Sequence, residues 1–170
     1  MTTLIIGTGV VGSQIAAQEI ARGETPVLLE LAPQTDAIGK LADISQLKLV
    51  QGDVLNPMDI ARVISDYGIT RIIHTAANAL LTEGALRNPY SAIQLNIMGT
   101  VNVLEAARIF GIERVVACSS SVTYARRGGE DEGALGREEA YPRPASIYAT
   151  TKQAVEDLGL NYFEWYGLDF

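Results

Sequence analysis

Apolar residues fall along this chain in short unbroken runs, and between the runs they recur at helical intervals. Thr3–Ile6 is the first run, and it ends at Gly7. Val11, Ile15, Ala16 and Ile20 then share one helical face, which predicts a helix over Val10–Arg22 closed by Gly23. Pro26–Glu30 reads as a second strand, residues 31–46 as a loop with a short helix, and Leu47–Val50 as a third strand. Asn56-Pro57 pairs a capping residue with proline at the first helical position, opening a helix to Tyr67 that stops at Gly68. Arg71–His74 is a fourth strand. Asn88-Pro89 repeats the cap-plus-proline device and opens a long helix to Phe110, closed by Gly111. Arg114–Cys118 is a fifth strand and Ser146–Tyr166 a final helix. Between them, residues 122–144 form a long loop rich in Gly, Arg, Glu and Pro; loops of that length are usually functional or mobile. Leu168-Asp169-Phe170 begins an apolar strand, so a further strand or two and a small additional domain are expected beyond it.

Strands alternating with helices predict βαβ units, and hence a doubly wound parallel α/β sheet in one domain spanning residues 1–170. Composition agrees, with 48% hydrophobic and 19% charged residues. A net charge of −7 gives no basic footprint for a general nucleic-acid binder, yet it leaves room for a nucleotide in a local pocket. No apolar run reaches the ~18 residues of a membrane span, so no membrane association is expected. The N-terminus has no basic segment or cleavage site. Cys118, the only cysteine, can form no internal disulfide. Together these features predict a cytoplasmic protein. His74 is the only histidine, which removes multi-histidine metal sites and makes a Ser-His-Asp hydrolase a poor candidate. No metal is expected.

Gly7-Thr8-Gly9-Val10-Val11-Gly12 is a G-x-G-x-x-G between a strand and a helix. In a dinucleotide-binding turn Gly7 permits the tight bend, Gly9 lets the backbone approach a pyrophosphate, and Gly12 lets the helix pack close to the strand. The pyrophosphate sits where free N–H groups and the helix dipole favour an anion. The pattern alone is weak, but Glu30 stands 18 residues past Gly12, near the ~20 expected of a ribose-binding acid. Leu31, Ala32 and Pro33 follow it without a cation, which favours NAD over NADP. The alternative is a structural turn with a solvated glutamate. Asp53, after the third strand, either caps the next segment or accepts from an adenine amino group.

Tyr148 and Lys152 stand four apart on one helix face. Lowering a tyrosine from pKa ~10 to ~7 needs roughly 4 kcal/mol. One cation at ~4 Å supplies about that much at an effective dielectric of ~20, but only ~1 kcal/mol in water. The pair therefore has chemical value only where Lys152 is sheltered. Ser119-Ser120-Ser121 follows the fifth strand, at the sheet edge where open α/β sheets bind ligands. A hydroxyl there can orient a substrate, although serines also simply end strands.

Taken in order, these motifs resemble the extended short-chain dehydrogenase/reductases, the NAD-dependent epimerase/dehydratase family, with its Rossmann-type fold. The resemblance also rests on His74-Thr75-Ala76-Ala77, on Asn96 with Gly99-Thr100, and on Ser121-Val122-Thr123-Tyr124. It implies Tyr148 as acid/base, Lys152 as the residue that holds the ribose and lowers the tyrosine pKa, and Ser120 as the substrate-orienting hydroxyl, with Ser121 as the fallback. It implies Asp53 and Val54 against adenine, Ala76 and Ala77 along the pyrophosphate and ribose, and Asn96 as a structural or cofactor-side polar group. His74 is assigned no chemistry. Ile6 stands where the family usually has another glycine, and Ala125 where a glycine follows the tyrosine. Ser121-Val122 replaces the acidic pair of dehydratases, which leaves 4-epimerase or simple dehydrogenase chemistry on a small molecule, with a nucleotide-sugar implied. Arg126, Arg127, Arg137 and Arg143 are either diphosphate ligands or solvated charges. The resemblance implies a homodimer through the helices that begin near Pro89 and Ser146, whose apolar faces could equally be core. A non-catalytic dinucleotide-binding or sensor domain is the competing reading.

Overall fold

A computed structural model describes residues 2–78, 88–124, 144 and 146–170. Five strands, β1 (Thr3–Ile6), β2 (Val27–Glu30), β3 (Lys48–Gln51), β4 (Arg71–His74) and β5 (Arg114–Ala117), form one sheet in the order β3-β2-β1-β4-β5. Every pairing is parallel; Ile5 of β1 lies beside Leu28 of β2 and Ile73 of β4. The helices are α1 (Val10–Ala21), α2 (Thr35–Ile38), α3 (Pro57–Tyr67), α4 (Pro89–Ile93), α5 (Gly99–Phe110) and α6 (Ile147–Tyr166).

Strands covered on both faces read as continuous apolar runs, and successive residues feed opposite cores. Leu4 and Ile6 join a large core with Ile60, Val63, Ile72, Val103, Leu104 and Val115. Ile5 and Leu28 join a smaller one with Ala16, Ile38 and Leu47. The caps read from sequence form as expected: Asn56 accepts from the Met58 N–H and Asn88 from the Ser91 N–H. Gly68 and Gly111 close α3 and α5 in the left-handed conformation.

Four segments differ from the sequence expectation. The helix predicted from Pro89 to Phe110 is interrupted by a π-helical stretch, Gln94–Met98. Strands β2 and β3 each begin one residue later than read. Leu168–Phe170 forms no regular strand, but it runs beside β5: the Val115 N–H donates to the Asp169 carbonyl at 2.8 Å, and Arg114 pairs with the Asp169 carboxylate. At the lower end of the sheet, buried Glu19 accepts from the Thr3 hydroxyl and from Arg22 and Arg71, which ties α1 to β1 and β4. Among the described residues no helix is long and apolar enough to cross a membrane.

Candidate functional site

The strand order reverses between β1 and β4, and a crevice opens there at the carboxyl ends of the strands, where open α/β sheets place ligands. The glycine turn forms its floor. Gly7 has φ +95°, a left-handed value that side chains disfavour, and a Cβ there would lie 2.6 Å from the Ala76 nitrogen. The turn is held from β4, because the Thr75 and Ala76 N–H groups both donate to the Ile6 carbonyl and the Thr75 hydroxyl donates to Gly7 O. A Cβ on Gly12 would lie 2.0 Å from Gly7 O, so the helix start packs directly on the turn. A Cβ on Gly9 would meet nothing within 4 Å. Gly9 is also the N-cap of α1 with no side-chain capping bond, and the first turn holds no acid. Free N–H groups and the positive helix end therefore face the crevice.

The crevice has a volume of about 460 Å³. Gly7, Gly9, Val10, Val11, Gly12, Glu30, Asp53, Val54, Ala76 and Ala77 all line it, as the sequence motifs anticipate. Val10, at the start of α1, is 73% exposed. Glu30 is not the freely solvated residue of the alternative reading. Its carboxylate accepts from the Thr8 N–H at 2.8 Å, from the Thr8 hydroxyl and from the Leu31 N–H, so it also tethers the glycine turn to β2. Asp53 forms the cap that was one of its two readings: its carboxylate accepts from the Leu55 N–H, and its own N–H donates to Asp59.

The second group stands on α6 and the segment after β5. Ser146 caps α6 by accepting from the Ala149 N–H, which places Tyr148 and Lys152 in the first two turns. Lys152 is only 5% exposed, which meets the shelter requirement. Its Nζ donates to the Cys118 carbonyl at 2.5 Å and stands 5.9 Å from the centroid of the Tyr148 ring. Burial pushes Lys152 below its ordinary value. Tyr148 lies above its ordinary value, and Lys152 is not among the causes of that shift. Burial pushes the half-buried phenol up, and a hydrogen bond with Ser120 opposes this only in part. One of the three N–H donors of the ammonium goes to the Cys118 carbonyl. Thr123 holds Ser120 by donating its N–H and hydroxyl to the Ser120 carbonyl. Ser121 is exposed at the start of a short 3-10 turn.

Asn96 does not line the crevice. It is 1% exposed inside the π-helical stretch, where its Oδ1 accepts from the Asn78 N–H and its Nδ2 donates to the Thr151 hydroxyl. These two bonds join Asn78 to α6 through Asn96. Thr100 gives its hydroxyl proton to the Asn96 carbonyl, so it can only accept from His74 Nε2 at 3.2 Å. This assigns the histidine proton to Nε2 and leaves buried Nδ1 unpartnered among the described residues. Burial, and then the Lys152 charge, lower His74 to about 4, so it is neutral. Sequence reasoning missed three contacts: the double use of Glu30, the hydrogen bond from Asn102 to Val54 O, and the contact of Ser119 with Glu156. Arg126, Arg127, Arg137 and Arg143, with Ala125, lie outside the described residues. Among the described residues no three His, Cys, Asp or Glu side chains come together as a metal site would need.

A profile of the NAD dependent epimerase/dehydratase family matches residues 3–170. The chain is 33% identical over 132 residues to a UDP-glucuronate 4-epimerase of Thermodesulfobacterium geofontis, covering 78% of this chain and 39% of that protein. It is 32% identical over 176 residues to UDP-glucuronate 4-epimerase 1 of Arabidopsis thaliana, covering 99% of this chain and 40% of that one. The crystal structure of Thermus thermophilus UDP-glucose 4-epimerase in complex with NAD superimposes with a TM-score of 0.86 at 28% identity, over 99% of this chain and 52% of that chain. The chain thus spans about half, or less, of the length of these relatives. With a family match over residues 3–170, the chain belongs to the NAD dependent epimerase/dehydratase family.

Proposed function

We propose that this chain is the NAD-binding half of a nucleotide-sugar 4-epimerase, with Tyr148 moving the proton at a substrate hydroxyl oxygen. The observation that carries the proposal is the cradle at Gly9, an uncapped helix start with open space where a side chain would stand, set in the crevice at the strand-order reversal. The residues fit a dinucleotide. The α1 N–H groups receive the pyrophosphate, Glu30 accepts from the adenosine ribose hydroxyls, and Asp53 and Val54 border the adenine. Ala76 and Ala77 line the path toward α6, and Asn96 supports Asn78 from behind rather than touching the cofactor. When bound, NAD supplies the reversible oxidation of a carbinol carbon.

This chain's own residues manage the proton. Ser120 orients the substrate hydroxyl toward Tyr148, whose phenol takes and returns the proton. Lys152, sheltered from water, is placed to hold ribose hydroxyls and to stabilise the phenolate with the two N–H donors not given to the Cys118 carbonyl. The names of the relatives support a nucleotide-sugar as substrate. A homodimer through α4, α5 and α6 is part of the proposal, supported by exposed Tyr90, Ile109, Phe163 and Trp165 on those helices.

Calorimetric titration of the chain with NAD and with NADP tests the cofactor site. Selective NAD binding is expected, and Glu30→Ala should narrow the preference. Equal affinity for both cofactors, or a ratio untouched by the substitution, refutes the ribose assignment. In a form that includes the substrate half, Tyr148→Phe should keep NAD binding and abolish turnover; retained turnover refutes the acid/base role of Tyr148, while wild type that binds NAD but turns over no nucleotide-sugar leaves a dinucleotide-binding domain as the better reading.

A further inference from the structure

Three successive turns of α6 each grip one residue of the segment that follows β5. Tyr148 faces Ser120, whose hydroxyl favours its phenolate, Lys152 donates to the Cys118 carbonyl, and Glu156 accepts from the Ser119 hydroxyl. The spacing 148, 152, 156 puts the three side chains on one helix face. Glu156 is partly buried and lines an open hollow with Arg114, Leu160 and Phe170. It does not act there as half of an ion pair. Arg114, the cation of that hollow, is taken by Asp169, and among the described residues no Lys or Arg reaches Glu156. Its partner is a neutral hydroxyl two residues from the end of β5, next to the serine that meets the phenol.

We infer that Glu156 is a positioning residue, which fixes the Cys118–Ser120 segment through the Ser119 hydroxyl and so holds Ser120 against Tyr148. The inference rests on the reading of Tyr148 and Ser120 as the reactive pair. The sequence separation shows why such an anchor is needed. Ser119 is exposed, and the other holds on this segment lie at its ends: the Cys118 N–H donates to the His74 carbonyl, Lys152 donates to the Cys118 carbonyl, and Thr123 donates to the Ser120 carbonyl. Lys152 keeps two further N–H donors for a ribose while it holds Cys118. Glu156 adds the attachment of the segment to α6 at Ser119, the residue next to Ser120. Because it bonds Ser119 and not Ser120, it leaves the Ser120 hydroxyl available to substrate.

The titration of Tyr148 reports this geometry directly, because the bond from Ser120 favours the phenolate while Ser120 stays in place. The groups around that phenol are Ser120, Cys118 and Lys152. The chain is labelled with 3-fluorotyrosine, the Tyr148 signal is assigned by its loss in Tyr148→Phe, and its midpoint is followed by fluorine NMR in wild type, Glu156→Gln, Glu156→Ala and Ser119→Ala. Glu156→Ala and Ser119→Ala should each raise the midpoint by about half a unit to one unit, the worth of one hydrogen bond. The double variant should shift it no further than either alone. Glu156→Gln keeps an acceptor for Ser119 and should match wild type. A lowering of equal size in the Gln and Ala variants would identify a plain charge effect and overturn the inference. So would an unmoved midpoint in Ser119→Ala, a variant that removes only one oxygen and decides the matter even where Glu156→Ala fails to fold. The cofactor reading stands or falls separately, on NAD binding by the wild-type chain in the calorimeter.

Discussion

Gly12 and Gly9 stand three residues apart in one motif, and the structure gives substitutions at the two positions opposite consequences. An alanine Cβ at Gly12 would lie 2.0 Å from Gly7 O, 2.9 Å from Thr75 Oγ1 and 3.1 Å from Gly7 C. Reaching the 3.4 Å of ordinary contact with that oxygen requires a displacement of about 1.4 Å. The oxygen cannot yield alone, since the turn is bonded to Thr75 and Ala76 on one side and to Leu29 on the other. The helix start must therefore lift, straining the bond from the Ser13 hydroxyl to Thr8 O. Overpacking of this kind costs ~1–3 kcal/mol. One or two weakened hydrogen bonds add ~1 kcal/mol each. Gly12→Ala should thus lose about 3–4 kcal/mol, a large share of the ~5–15 kcal/mol that holds a domain together. Gly9→Ala adds a methyl to open space at φ −63° and should leave stability within ~0.5 kcal/mol. Its methyl would instead occupy the anion cradle, so NAD affinity should fall at least tenfold. Urea unfolding followed by circular dichroism, paired with NAD calorimetry, reads both effects. A Gly12→Ala protein as stable as wild type would refute the packing argument, and a Gly9→Ala protein with undiminished NAD affinity would refute the cradle.

His74 gives a signature in acid. Its folded pKa, about 4, lies below the ordinary 6.5, so the unfolded chain binds a proton that the folded chain refuses. The associated stability is complete above pH ~6.5 and is lost as pH falls toward 4, by roughly 3 kcal/mol over the whole window. Denaturant unfolding at pH 7 and pH 5 should show a drop that shrinks in His74→Gln, and an equal drop in both proteins would contradict a buried neutral imidazole. Asn96→Ala strands the Asn78 N–H and removes the donor to the Thr151 hydroxyl, which keeps its own bond to the Tyr148 carbonyl, and should cost about 1–3 kcal/mol in the same assay, with a change under ~0.5 kcal/mol arguing that this bridge carries no weight.

The sequence by itself determined the alternation of strands and helices, the parallel sheet and the position of the glycine turn. These follow from local causes: apolar runs long enough to be covered on both faces, asparagine-proline starts, glycine stops, and a turn whose three glycines each answer a short-range steric demand. It also named the residues that meet around the crevice, because the order of the strands brings their carboxyl ends together. The structure alone decided how the polar groups divide their bonds. Glu30 spends its carboxylate on Thr8, 22 residues away in sequence, and Glu156 holds Ser119 across 37. Asn96 is enclosed by a π-helical stretch that no periodicity announced. Lys152 points at a carbonyl and not at the phenol it was expected to tune. Such partners are chosen by the register in which elements pack, and by which oxygen lies within about 3 Å once water is excluded. Spacing along the chain carries no record of either.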